Sequence, residues 1–207
     1  PNVLLNRLLD WGDPTSLNKT YSQTDSYPGD IRPGMMRVGF SDSSIVSRWE
    51  EPSGRPVGVQ RLYRQWADSL SVPADATVAL TAGRLPWVSF KVDDWAAAAA
   101  GGRDAHFDSI IAGLKNLDGP VWISVEPQPE ATVQAAIGST GYTVANWRSF
   151  QQKFKARLTA SGADKIAFAP VLSTETFNTT AANSWWIDGC WDFVGADFRV
   201  QNSFGSI

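Results

Sequence analysis

Cysteine and histidine are almost missing: 207 residues hold one of each, Cys190 and His106. A single cysteine excludes an internal disulfide and any site built on several thiolates. With one His and one Cys, a zinc centre would have to rest on carboxylates alone, an uncommon donor set. No metal and no cofactor is therefore expected. Cys190 reads as a small buried hydrophobe, since a catalytic thiol wants a partner base. His106 falls inside a helical pattern and reads as a packing or capping residue. No apolar run approaches the roughly 20 residues needed to span a bilayer, so no membrane insertion is expected. The N-terminal PNVLLNRLLDW has no basic stretch ahead of a long apolar core, so it does not read as a secretory signal. It also lacks an initiator Met. Basic charge is not in excess either: 18 Lys and Arg stand against 21 Asp and Glu, a net charge of -3. That balance argues against a nucleic-acid partner, which needs a basic surface.

What is present is apolar and aromatic. The chain is 43% hydrophobic and 19% charged, enough to fill a core. Its ten tryptophans are several times ordinary usage. Core packing accounts for many of them. A flat indole also covers the apolar C–H face of a pyranose, so the composition hints at a carbohydrate ligand.

Residues 1–34 are rich in turns (WGDPTS, SYPGD, RPG) and read as an N-terminal extension or linker after a short helix at Val3–Leu9. Residues 35–207 read as the folded domain. Strands are expected at Met35–Phe40, Val57–Tyr63, Pro86–Val92, Val121–Val125, Lys165–Leu172 and Asp192–Phe198. The segments SDSSIVSRWEEPSG and VPADA between them read as polar or loop. Ala96–Ala100 reads as a short helix stopped by Gly101 and Gly102. From Asp104 to Leu117, Phe107, Ile110, Ile111 and Leu114 fall at helical spacing, with Asp104 as the expected N-cap. Tyr142 to Ala160 is the strongest helix, striped by Val144, Trp147, Phe150, Phe154 and Leu158 and closed at Ser161-Gly162. Strands apolar on both faces, alternating with helices, indicate a parallel α/β sheet. The expected architecture is a (β/α)8 TIM-type barrel, incomplete at about six strands. A doubly wound sheet is the rival, but no G-x-G-x-x-G or P-loop lies between a strand and a helix.

In an α/β barrel the site lies at the C-terminal ends of the strands. The residues there are Ser41 and Asp42 after the first strand, then Arg61, Tyr63, Arg64 and Trp66 after the second. Lys91, Asp93 and Asp94 follow the third, and Glu126, Gln128 and Glu130 the fourth. Glu175 follows the fifth, and Asp197 and Arg199 the sixth. Tyr63, Trp66, Lys91, Asp93, Gln128, Glu175, Asp197 and Arg199 are the candidate substrate-binding set. Glu126 and Glu130 are the candidate catalytic pair, because glycoside hydrolysis needs two carboxylates flanking the bond. In SVEPQPE, alternate residues of an extended chain share a face. Pro127 and Pro129 bias the residues before them toward extended geometry. Glu126, Gln128 and Glu130 are thus expected to point into one pocket.

Three stretches resemble glycoside hydrolase family 26, the β-mannanase-like barrels. They are PWVSFKVDDWAAAAAGGRDAHFDSIIAGLKNLDGPVWISVEPQPE, ANWRSFQQKFKARLTASGADKIAFAP and WWIDGCWDFVGADF. The resemblance runs in order from about Met35 to Phe198. It implies a (β/α)8 barrel that acts on or binds polysaccharide. In that family the fourth strand ends in a His-Glu-Pro type sequence whose Glu is the acid/base. Aligned on Ser124 and Pro129-Glu130, that position is Gln128, and an amide cannot donate a catalytic proton. The family's sugar-contacting aromatic after the sixth strand falls near Arg199. Its nucleophile ends a seventh strand, which this chain does not contain.

Six strands leave an open edge with unpaired backbone. The expectation is that further chain, or another chain, covers it. Three functions remain open: a retaining glycosidase whose nucleophile lies in a C-terminal part not included here, a binding module for bacterial cell-surface glycan, or a structural domain of a larger assembly such as a bacteriophage tail. The last two imply an extracellular or virion location and other protein chains as partners.

Overall fold

The computed structural model describes residues 27–29, 39–41, 43–136, 140–177 and 181–197. The helix expected at Val3–Leu9, the first four residues of the Met35–Phe40 strand, Asp42 and Arg199 lie outside the described residues.

The architecture is α/β. Strands β1 (Gly39–Phe40), β2 (Val59–Arg64), β3 (Leu85–Phe90), β4 (Val121–Val125) and β5 (Ile166–Phe168) form a five-stranded sheet in that order, every pairing parallel. Strand β6 (Val171–Ser173) follows β5 directly and pairs parallel with β7 (Gly195–Asp197). The expected single strand Lys165–Leu172 is thus broken at Ala169-Pro170. The hydrogen bonding nonetheless continues through the break, with Ala169 N–H donating to Ile123 O and Gly195 N–H to Pro170 O. Among the described strands, each strand of the five-stranded sheet pairs with its neighbour in sequence, with no reversal of order such as a doubly wound sheet contains.

Helix α1 (Ser43–Ser53) joins β1 to β2, and α2 (Val72–Thr81) joins β2 to β3 after a 3-10 turn at Trp66–Ser71. Helices α3 (Trp95–Ala100) and α4 (Asp104–Lys115) lead to β4; α5 (Pro129–Ala135) and α6 (Val144–Ser161) lead to β5. The short α7 (Thr174–Phe177) and α8 (Ala182–Trp185) precede β7. Two of these helices occupy stretches expected as loop. In α2 the proline sits in the first turn, where its missing N–H costs nothing. In α1 Pro52 is the penultimate residue, so it ends the helix instead of breaking it. Asp104 is the first helical residue and not the cap; its carboxylate pairs with Arg157 of α6. Helix α6 behaves as its stripe predicts. Thr143 caps it by accepting from Asn146 N–H at 3.1 Å, and Gly162 ends it at φ 64°.

Strand alternation sorts the sheet into two faces. Val88, Phe90, Ile123 and Val125 point to the helices and join Phe107, Ile110, Phe150 and Phe154 in one fully buried core. The other face carries Arg61, Tyr63, Trp87, Ser89, Trp122 and Ser124, with Arg61 opposite Trp87, Trp87 opposite Trp122, and Ser89 opposite Ser124. This second face is curled. Trp87, Trp122 and Phe193 form a cluster with ring centroids 4.6–5.5 Å apart, and Tyr27 stacks on Phe193 at 4.9 Å. Trp122 Nε1 donates to Pro28 O at 2.8 Å, so residues 27–29, in the stretch read as an extension, pack into the body. Gly195 of β7 lies against Trp87 of β3: a Cβ there would come within 2.8 Å of the indole. Strands β3 and β7, which do not belong to one sheet, therefore meet across this inner face.

Candidate functional site

The SVEPQPE segment leaves β4 through two left-handed residues, Glu126 at φ 53° and Gln128 at φ 52°. Non-glycine residues in this region carry strain of about 1–3 kcal/mol each and persist where the surroundings over-determine them. The expected extended run across both prolines is therefore wrong. Local partners outweigh the pre-proline bias. Glu126 N–H donates to Phe90 O at 2.8 Å and Gln128 N–H to Val171 O at 2.7 Å. Pro129 then opens α5 from a position that suits its fixed φ.

Both candidate carboxylates are consumed by this turn. Glu126 is 1% exposed. Its Oε1 accepts from Lys91 Nζ at 2.7 Å and Thr132 Oγ1 at 2.8 Å, and its Oε2 from Val92 N–H at 2.7 Å. Lys91 spends its remaining protons on Pro127 O at 2.7 Å and Thr132 Oγ1 at 3.2 Å. The group is a buried clamp between the ends of β3 and β4. Glu130 turns the other way: its Oε1 accepts from Ser173 N–H at 2.7 Å and Thr176 Oγ1 at 2.6 Å. It ties α5 to the end of β6 and to α7, while its Oε2 is buried and accepts no hydrogen bond. The two carboxylates do not share a pocket face; each is drawn to a different neighbouring strand. Between them the half-buried Gln128 side chain makes no hydrogen bond to a described residue.

The remaining candidates divide into three groups. Trp66 and Asp93 belong to a packed cluster on the 3-10 turn and the start of α4. Asp93 is held by a two-pronged bond from Arg103, at 2.9 and 2.8 Å. Trp66 stacks on His106 with centroids 3.9 Å apart, and the Arg103 guanidinium lies 5.5 Å from the centroid of the Trp66 ring. Trp66 is therefore committed to packing and not free as a sugar platform. His106 Nε2 is 2.6 Å from Ser69 Oγ, whose own proton goes to Trp66 O at 2.7 Å. The imidazole thus acts as the donor, and Ser69, 0% exposed, is no nucleophile. Burial lowers the His106 pKa, opposed by Asp93 and assisted by Arg103. Glu175 is exposed on α7 and stands apart from the others.

Tyr63 and Asp197 form the third group, on the inner face at the C-terminal ends of β2 and β7. Tyr63 is 46% exposed. Burial raises its phenol pKa, with Arg61 opposing and Asp197 adding to the rise. Beneath it Arg61 lies over the Tyr63 ring at 4.6 Å and the Trp87 ring at 4.8 Å. Its Nε and Nη2 are sealed from solvent and make no hydrogen bond, and this burial lowers the guanidinium pKa. Arg61 reads from sequence as an end-of-strand residue; its role in mid-face packing is visible only once the register opposite Trp87 is known. Thr132 and the Val92 N–H, which complete the Glu126 clamp, carried no sequence signal.

An open groove of about 470 Å³ runs over this end of the sheet, lined by Gln65, Lys91, Val92, Glu126, Thr132 and Tyr142 among others. Among the described residues no group of three or more His, Cys, Asp and Glu could hold a metal ion, and no helix is long and apolar enough to cross a membrane. Cys190 is buried, its thiol pushed up to about 12 by burial, so it is not an available nucleophile at neutral pH. No protein-family model and no curated protein matches the chain.

Proposed function

We propose that this chain is a glycoside-hydrolase-like domain, of the family 26 type, that recognises polysaccharide and does not cleave it. The sequential parallel strand order supports a barrel of the (β/α)8 kind, here represented by its first six strand positions. The polar strand ends supply the ligand-facing rim. The observation that carries the reading is the state of SVEPQPE: Glu126 has both oxygens bonded to Lys91, Thr132 and Val92, and the position expected for the acid/base is the amide of Gln128. A general acid must reach the leaving oxygen with a proton to give. Both Glu126 oxygens are instead buried and bonded within the clamp, turned away from any leaving group. The test is to measure binding and sugar release together on mannans and arabinogalactan-type glycans. Affinity without release is expected; release abolished by Gln substitution at either Glu126 or Glu130 would overturn the reading.

A second reading rests on Glu130, whose Oε2 is buried and unbonded. In it the domain is an active retaining glycosidase, with Glu130 as acid and a nucleophile supplied from sequence beyond Ile207. Gln128→Glu separates the two: it creates or raises activity if the rest of the site is competent. The resemblance also suggests a setting, a larger extracellular assembly such as a bacteriophage tail. Detection of the chain in purified virions, in several copies, tests that.

A further inference from the structure

We propose that Asp188 and Gly189 form a site of spontaneous isoaspartate formation, and with it a substrate for a protein-isoaspartate methyltransferase. The proposal is independent of the carbohydrate reading. An Asp-Gly pair reacts when the backbone nitrogen of the glycine attacks the aspartate Cγ. A C–N bond forms, a C–O bond breaks, and the nitrogen gives up its proton to the departing water, leaving a five-membered succinimide. Water then opens the ring at either carbonyl. Aspartate is returned or isoaspartate is left, with no net change of mass. No oxidant, metal or cofactor takes part.

The chain has two such pairs, Asp118-Gly119 and Asp188-Gly189. Both aspartates are exposed, so accessibility does not separate them. The glycines do, because ring closure needs the peptide plane between the two residues to rotate. A Cβ at Gly119 would stand 2.7 Å from Leu80 Cδ2, so that backbone is wedged against α2. Pro120 follows and narrows the conformations open to Gly119. Gly189 is exposed, with nothing within 4 Å of where a Cβ would lie. It sits at φ 71° in a turn closed by a long bond, Cys190 N–H to Ile187 O at 3.3 Å. A glycine leaves that region of backbone space at little cost. One contact opposes the reaction: Trp186 Nε1 donates to Asp188 Oδ1 at 2.8 Å and holds the side chain.

The turn stands where the product has an effect. Its two ends, Ile187 and Cys190, are 5% and 4% exposed. Isoaspartate routes the backbone through the side chain and so adds one carbon between these anchors. Two residues on, Asp192 accepts from Lys155 Nζ at 2.9 Å and from Phe168 N–H at 2.7 Å, and β7 begins at Gly195. A tight turn between buried ends absorbs little extra length. The modification therefore loosens the Asp192 bonds and the approach to β7.

The test ages the 207-residue chain at neutral pH and physiological temperature for several weeks. It is then labelled with protein-isoaspartate methyltransferase and tritiated S-adenosylmethionine, and the label is located by peptide mapping. The peptide carrying Asp188 is expected to take up about tenfold or more label than the one carrying Asp118, the effect of one hindered rotation on a rate. Asp188→Glu, which closes no five-membered ring, should abolish that label, and a thermal melt shows that this exposed substitution folds. Trp186→Phe should raise the label severalfold; an unchanged rate overturns the restraint assigned to Trp186. Aged wild type should melt about 2–4 °C below fresh protein, and Asp188→Glu aged alike should not. In urea the two wild-type pairs should label alike, because the Leu80 contact that separates them is gone. Equal labelling of both sites in the folded chain, no label at Asp188, or a preference for Asp188 that persists in urea overturns the proposal.

Discussion

The two faces of the parallel sheet are built on opposite principles. The helix-facing side is mainly apolar: Val88, Phe90, Ile123 and Val125 meet Phe107, Phe150 and Phe154, and one buried polar side chain, Gln151 of α6, donates to Val125 O at 2.6 Å. The inner face mixes aromatics with groups that folding leaves unsatisfied, including the Ser89 hydroxyl and two nitrogens of Arg61. Burying a polar atom without a partner costs about 1–3 kcal/mol. A fold tolerates that where something other than stability is being served. The larger share of apolar burial lies in the outer layer, and the proposed recognition would fall to the inner one.

The sharpest way to break this contrast is to cut into each face. Phe154→Ala removes a ring packed against Phe90, Phe107 and Phe168, and should cost about 3–5 kcal/mol, read as a lower midpoint in urea. A loss under about 1 kcal/mol would mean the helix-facing layer is not the seat of stability. Glu126→Gln comes next. It leaves the Lys91 ammonium, one-third exposed, without its anion, and should cost about 2–3 kcal/mol, less than for a fully buried pair. Lost function with an unchanged melting temperature would instead make Glu126 a catalytic group and refute the clamp.

Smaller effects sharpen the comparison at the strained turn and the inner layer. Gln128→Gly relieves the left-handed backbone and should stabilise by up to about 1 kcal/mol while weakening glycan binding. That opposite movement marks a residue retained for its side chain. Ser89→Ala deletes a buried hydroxyl with no partner and should be near neutral, within about 1 kcal/mol; a large loss would reveal a hidden partner. His106 gives the weakest signal. Its folded-state pKa lies below the ordinary 6.5, so the unfolded chain takes up the proton first. Its contribution is complete above about pH 6.5 and declines as pH falls toward the folded value. Melting temperature measured from pH 7 to pH 5 should fall more steeply for the wild type than for His106→Gln.

Much of the fold was legible because its signals are local. The stripe Trp147, Phe150, Phe154, Leu158 specifies one buried helix face, and the apolar runs around Trp87 and Trp122 specify buried strands. Helices α1 and α2 were hidden because proline and polar residues read alike in a loop and at a helix end. The position of the candidate segment at a strand end was legible, but the partners of its side chains were not. SVEPQPE stands at a strand end in both readings. What became of its carboxylates depended on Lys91, Val92, Thr132, Ser173 and Thr176, up to 46 residues away in the chain.

The sequence by itself determined the alternation of parallel strands and helices, the scarcity of thiol and imidazole chemistry, and the amide at position 128. Those follow from residue type and short-range periodicity. Only the tertiary structure decided that Glu126 is a clamp, that Glu130 faces another strand, and that Tyr63, Arg61 and Asp197 gather on one curled face. Each of those depends on register and curvature, which arise when distant strands are packed together and which no single stretch of chain encodes.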